Sequence, residues 1–147
     1  MKGYSEGAGG KSRVMNKPKK RILIVDDDAR VRESVCLAIQ EQDVLEFEIV
    51  ESADVASGIK LLKKTKPDIV ILDLHLPDKS GFDFMDMMNS DKAYAKTKVI
   101  MLTVDNTMKN IFKAENKGID VYFFLGKPFN ISELQAMVLD ISLGSKA

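Results

Sequence analysis

Ile22-Leu23-Ile24-Val25-Asp26-Asp27-Asp28 decides how this chain folds: four consecutive apolar residues run straight into three carboxylates. An apolar run this short, with no alternation, suits a strand buried on both faces. The pattern recurs at Ile69-Val70-Ile71-Leu72-Asp73, where a second run ends in one aspartate. Two buried strands therefore deliver carboxylates to one edge of a sheet. Crowded carboxylates repel one another, and a folded domain tolerates that repulsion when a divalent cation sits among the oxygens. The two stretches together point to a magnesium site.

Outward from these stretches, short β-rich runs alternate with longer segments of helical period. Strands are predicted at 21–25, 46–51, 68–72, 97–102 and 121–125. Val31, Val35, Ala38 and Ile39 share one helical face, with Asp28 placed as the N-cap. Val55, Ile59 and Leu62 repeat the pattern ahead of Pro67, and Phe82, Met85 and Met88 mark a third helix after Gly81. Ile111 and Ala114 mark a weaker fourth that ends at Gly118. Ile131, Leu134, Val138 and Ile141 mark the last, between Pro128 and Gly144. Met85, Met87 and Met88 read first as core and helix-surface filler, although a methionine-rich face also suits adaptable docking. Five β–α units with strands this apolar imply an α/β fold, a doubly wound parallel five-stranded sheet with helices on both faces. Ligands of such sheets bind beyond the carboxyl ends of the strands, where the acidic residues fall.

A chain of 147 residues makes one ordinary domain. Charges cancel over the full length, but residues 1–20 hold six Lys/Arg and one Glu, which leaves the body mildly acidic. That balance argues against direct nucleic-acid binding by the body, which needs clustered Lys and Arg. Residues 1–20 are too polar and Gly-rich to repay the entropy of ordering and are predicted to be a disordered basic tail. Met15, followed by Asn16, Lys17 and Pro18, makes a natural start, which would leave residues 1–14 as a leader. Residues 21–142 form the predicted domain and 143–147 a C-terminal tail. The single cysteine, Cys36, allows no internal disulfide and suits a reducing compartment. No apolar run approaches the ~18 residues of a membrane span, and no signal peptide is evident, so a cytoplasmic protein is expected.

Four motifs in order are similar to the receiver domain of two-component response regulators, of the chemotaxis-regulator-like kind. They are Val25-Asp26-Asp27, Leu72-Asp73 with Pro77 and Gly81, Met101-Leu102-Thr103, and Lys127-Pro128-Phe129. The resemblance covers residues 21 to about 142 and implies a flavodoxin-like receiver fold. It makes Asp73 the nucleophile that takes a phosphoryl group as an acyl phosphate. It makes Asp27 a direct Mg²⁺ ligand, Asp26 a ligand through water or a second oxygen, and the backbone carbonyl of His75 the third. The Thr103 hydroxyl would donate to a phosphoryl oxygen, and Lys127 would pair first with Asp73 and then with the phosphoryl group. The Lys127–Pro128 bond is expected to be cis. His75, Val104 and Asp105 fall at positions that tune phosphoryl lifetime, and Phe124 at the aromatic switch, with Tyr122 the competitor.

The resemblance also implies partners. No Gly-rich phosphate loop is present, so the donor would be a phosphohistidine on a sensor histidine kinase or histidine phosphotransfer protein, not ATP. A downstream effector protein would read the switch, and no membrane is involved. On this reading the chain is no enzyme beyond catalysing its own phosphoryl transfer and autodephosphorylation. Two departures stand out: Val104 replaces the usual Ala, Ser or Gly, and Gly118 to Lys127 runs about two residues long. An aspartate-nucleophile phosphatase would want a second carboxylate two residues after Asp73, where His75 stands. A pseudo-receiver that acts only as a protein-interaction module is the alternative that Val104 and the altered fifth strand keep open.

Overall fold

The computed structural model of the protein describes residues 19–104 and 121–144. The elements are β1 (Lys19–Val25), α1 (Ala29–Gln40), β2 (Glu46–Ser52), α2 (Val55–Thr65), β3 (Ile69–Leu72), α3 (Gly81–Asn89), β4 (Lys98–Thr103), β5 (Val121–Gly126) and α4 (Ile131–Ser142). The helix predicted around Ile111 and Ala114, the residue Asp105 and residues 1–18 lie outside the described residues. Lys19 and Lys20, expected in the tail, extend β1 because β2 offers them Glu46 and Phe47 as parallel partners.

All five strands are parallel and stand in the order β2-β1-β3-β4-β5. The fold is flavodoxin-like α/β. Because successive side chains alternate faces, each apolar run feeds two cores at once. Leu23, Val25, Val70, Leu72, Val99 and Met101 pack on one face beneath α2 and α3, with Phe84 and Met85 among the fully buried side chains there. Ile22, Ile24, Ile69, Ile71, Ile100 and Leu102 pack on the other beneath α1 and α4. At about 1.5–3 kcal/mol for each aliphatic side chain taken fully out of water, these two layers dominate the stability of the fold.

Side-chain caps begin the helices, and the one expected from the sequence, Asp28, is among them. Asp28 starts α1 by accepting from Arg30 N at 2.9 Å. Ser80 and Asp83 form a reciprocal capping box at α3, and Asn130 caps α4 through Glu133 N. The chain passes from β1 through α1 to β2 on one side and returns to β3 on the other, so the order in which strands are added reverses between β1 and β3. Strand order thus opens a crevice at the carboxyl ends of those two strands.

Candidate functional site

In the register of β1 and β3, Val25 stands opposite Leu72, which leaves the next residues, Asp26 and Asp73, side by side. Main-chain bonds carry the ladder past the strand ends: Asp73 N donates to Val25 O and Asp26 N to Ser52 O, each at 3.0 Å. Lys127 is held in the same way, its N donating to Thr103 O at 3.1 Å. Lys127 Nζ lies 2.6 Å from Asp26 Oδ2 and 3.0 Å from Asp73 Oδ2. Asp26 and Asp73 are buried, at 2% and 5% exposure, while Asp27 is exposed.

Burial pushes the Asp26 carboxyl above its ordinary range, outweighing the Lys127 ammonium and a bond from Asp28 N that favour the charged form. Burial pulls Lys127 downward, but its bonds to Asp26 and Asp73 win and leave it above the usual lysine value. One oxygen each of Asp26, Asp27 and Asp73 fall within 4.8 Å of one another. Three carboxylates face one ammonium, so the cluster keeps an excess of negative charge. Asp26 Oδ2 is buried and faces Lys127 Nζ, with lone pairs left over. An all-oxygen donor set with spare lone pairs and surplus charge fits a small hard dication such as Mg²⁺.

The other expected residues, Asp105 apart, lie among the described ones. Thr103, buried, ends β4 opposite Gly126. Val104 follows it at 72% exposure, so its side chain stands at the rim rather than in the core. His75 N donates to Asp73 Oδ1 at 3.3 Å, and the His75 side chain is exposed. The Lys127–Pro128 bond is cis, as expected. Phe124 stands opposite Met101, half-buried against the core beneath α2 and α3. The β4–β5 register breaks between Val99 and Ile100, whose partners are Val121 and Phe123, so the skipped residue is Tyr122. Beside Lys127 a shallow groove of about 260 Å³ is lined by Arg30, Val31, Ser34, Pro128, Phe129 and Ile131.

Two contacts escape sequence reasoning. Arg32 donates from Nη1 to the Asp26 carbonyl at 2.7 Å while its Nε pairs with Glu51 at 3.0 Å. Its place one turn after the N-cap was the available signal, but a charged residue on a surface helix has many uses. Gly81 packs against the main chain of Asp73, where a Cβ would stand 2.4 Å from Asp73 O.

Residues 22–139 match the family described as the response regulator receiver domain. The chain is 32% identical over 119 residues to the phosphate regulon transcriptional regulatory protein PhoB of Klebsiella pneumoniae, covering 81% of this chain and 50% of that protein. It therefore spans about half the length of the curated relatives it matches. Among solved structures, a response regulator of Chloroflexus aurantiacus superposes with a TM-score of 0.74 at 26% identity, covering 85% of this chain and 98% of that one. A CheY-like receiver domain protein of Methanospirillum hungatei superposes at 0.67 with 27% identity, covering 83% and 92%.

Proposed function

From the premise that this chain belongs to the response regulator receiver-domain family, we propose that Asp73 accepts a phosphoryl group from a partner phosphohistidine. The observation that carries this reading is the buried Asp73 carboxylate 3.0 Å from Lys127 Nζ, with Asp26 and Asp27 within reach of the same point. In the reaction an Asp73 oxygen attacks phosphorus, the P–N bond breaks, and the donor imidazole leaves with the electron pair. Asp26, Asp27 and Asp73, with the His75 carbonyl, would hold Mg²⁺, which supplies positive charge toward the phosphoryl oxygens. Lys127 keeps the Asp73 carboxylate ionised and oriented, then pairs with the charge that develops on the transferred group. Thr103, at the carboxyl end of β4, supplies a hydroxyl donor. Phosphorylation shifts charge at the Asp73–Lys127 pair, and β5, with Phe124 and neighbouring α4, carries that change toward an effector. His75, Val104 and Asp105 set how readily water reaches the acyl phosphate. The working unit is residues 21–142, preceded by a basic tail and located in the cytoplasm.

The test uses acetyl phosphate with Mg²⁺ and intact-mass measurement. The chain should gain one hydroxylamine-labile phosphoryl group, and Asp73→Asn should gain none because it lacks the nucleophile. A wild-type chain that stays unlabelled while folded would establish the pseudo-receiver reading instead.

A further inference from the structure

On the reading that Asp73 is the acceptor, we propose that Asp78 is a positioning residue: its carboxylate fastens the segment after Asp73 to the N-terminus of α2, and so holds the acceptor carboxylate in its working orientation. The segment between β3 and α3 bears directly on the acceptor, since His75 N donates to Asp73 Oδ1. It is closed on itself by the His75–Ser80 bridge and by Gly81 N donating to Leu74 O at 2.8 Å. Those contacts give the segment a shape but do not tie it to the rest of the molecule. Asp78 does: Oδ1 accepts from Val55 N at 2.9 Å and Oδ2 from Ala56 N at 3.0 Å, across 23 and 22 residues of sequence. Oδ1 also accepts from Lys79 N at 2.9 Å, which fixes the carboxylate against its own backbone.

Helix α2 does not need this carboxylate merely to be capped. Asp54, its N-cap, already accepts from Ser57 N at 2.8 Å and takes Gly58 N on its carbonyl at 3.0 Å. Two aspartates divide the first four N–H groups of one helix, and the second comes from the acceptor's loop. The helix is a firm anchor, because Val55, Gly58 and Leu62 are buried and a Cβ on Gly58 would lie 3.0 Å from the Phe84 ring. Although exposed, the Asp78 carboxyl is drawn below its ordinary range, first by the bond from Val55 N and also by those from Ala56 and Lys79. The clamp is therefore charged at neutral pH and complements the positive end of the helix dipole.

Asp78→Ala, Asp78→Asn and Asp54→Ala, each in the full chain, separate positioning from plain helix capping. Three readouts apply to each: Mg²⁺ affinity from amide shifts, labelling rate by acetyl phosphate, and melting temperature. Asp78→Ala should lower the labelling rate about tenfold and weaken Mg²⁺ binding in the same direction, as removal of supporting partners does. Asp78→Asn keeps one acceptor oxygen and should recover part of both. Asp54→Ala should lower the melting temperature at least as much yet leave labelling and Mg²⁺ affinity within about twofold, since it frees a helix end without freeing the loop. Wild-type behaviour in both Asp78 variants overturns the proposal, and so does an equal functional loss in Asp54→Ala. A wild-type chain that takes no phosphoryl group overturns the acceptor reading itself, a result distinct from either.

Discussion

A missing methyl group at Gly81 shapes the main chain around Asp73, the proposed acceptor. The atoms that a Cβ would strike are Asp73 O at 2.4 Å and Leu74 Cα at 3.1 Å, both main chain and unable to rotate aside. Gly81→Ala should therefore destabilise by about 1–3 kcal/mol through overpacking, and the strain falls on Asp73, the residue proposed to attack phosphorus. Urea unfolding measures the first effect. Intact-mass labelling measures the second, expected as a rate roughly tenfold lower, given how steeply attack geometry controls rate. A variant labelled at the wild-type rate would show that the close approach has no bearing on the chemistry. Lys127 illustrates a different economy of position, since one ammonium serves two buried carboxylates. Its ionisation is secured by both, so it stays charged throughout the neutral range.

Among the elements, α3 links the loop after Asp73 to the core through its first turn. Ser80 accepts from Phe82 N at 3.0 Å while Asp83 accepts from Ser80 N at 3.0 Å, and Phe82, Phe84, Met85 and Met88 behind them are buried. Ser80→Ala should cost about 1 kcal/mol of stability by removing one half of the box. Thermal unfolding with retained Mg²⁺ affinity is the expected pattern, and an unchanged melting point would show that Asp83 suffices. The elements were legible because burial on two faces writes strands as unbroken apolar runs, and predicted strand limits agree with the observed ones to within two residues. Asp26, Asp27, Asp73 and Lys127 were legible too, because parallel strands must bring their carboxyl ends to one edge. What stayed hidden involves main-chain partners. Arg32 to the Asp26 carbonyl and Asp78 to the Val55 and Ala56 amides cannot be assigned from sequence, since every residue owns such main-chain groups. The extra length before Lys127 was visible, but its place was not. A surplus residue can be absorbed anywhere along a strand, and the register break at Tyr122 is a matter of packing.

For the molecule as a whole, the acidic edge is a load on stability. The folded value of Asp26 is raised by burial, so the folded state disfavours its charged form, and that penalty is fully present above the folded value and relieved as pH falls through it. Asp26→Asn should therefore melt higher than wild type at pH 7 without divalent ions, by a few °C at most. The difference should shrink toward acid pH, where wild-type Asp26 takes up a proton. Saturating Mg²⁺ should reverse the order, because it stabilises only a chain that binds it. Calorimetry at two pH values, with and without Mg²⁺, checks this, and a lower melting point for the variant in chelator would refute it. The strand order has a further consequence, for synthesis. Asp26, Asp73, Thr103 and Lys127 stand at the ends of four strands, and the last of these, β5, is the final strand of the sheet to leave the ribosome. A nascent chain that still lacks β5 has its carboxylates but not the lysine that orients them. On the proposed reading, a copy cut short before β5 would hold the carboxylates of the site and take up no phosphoryl group through it.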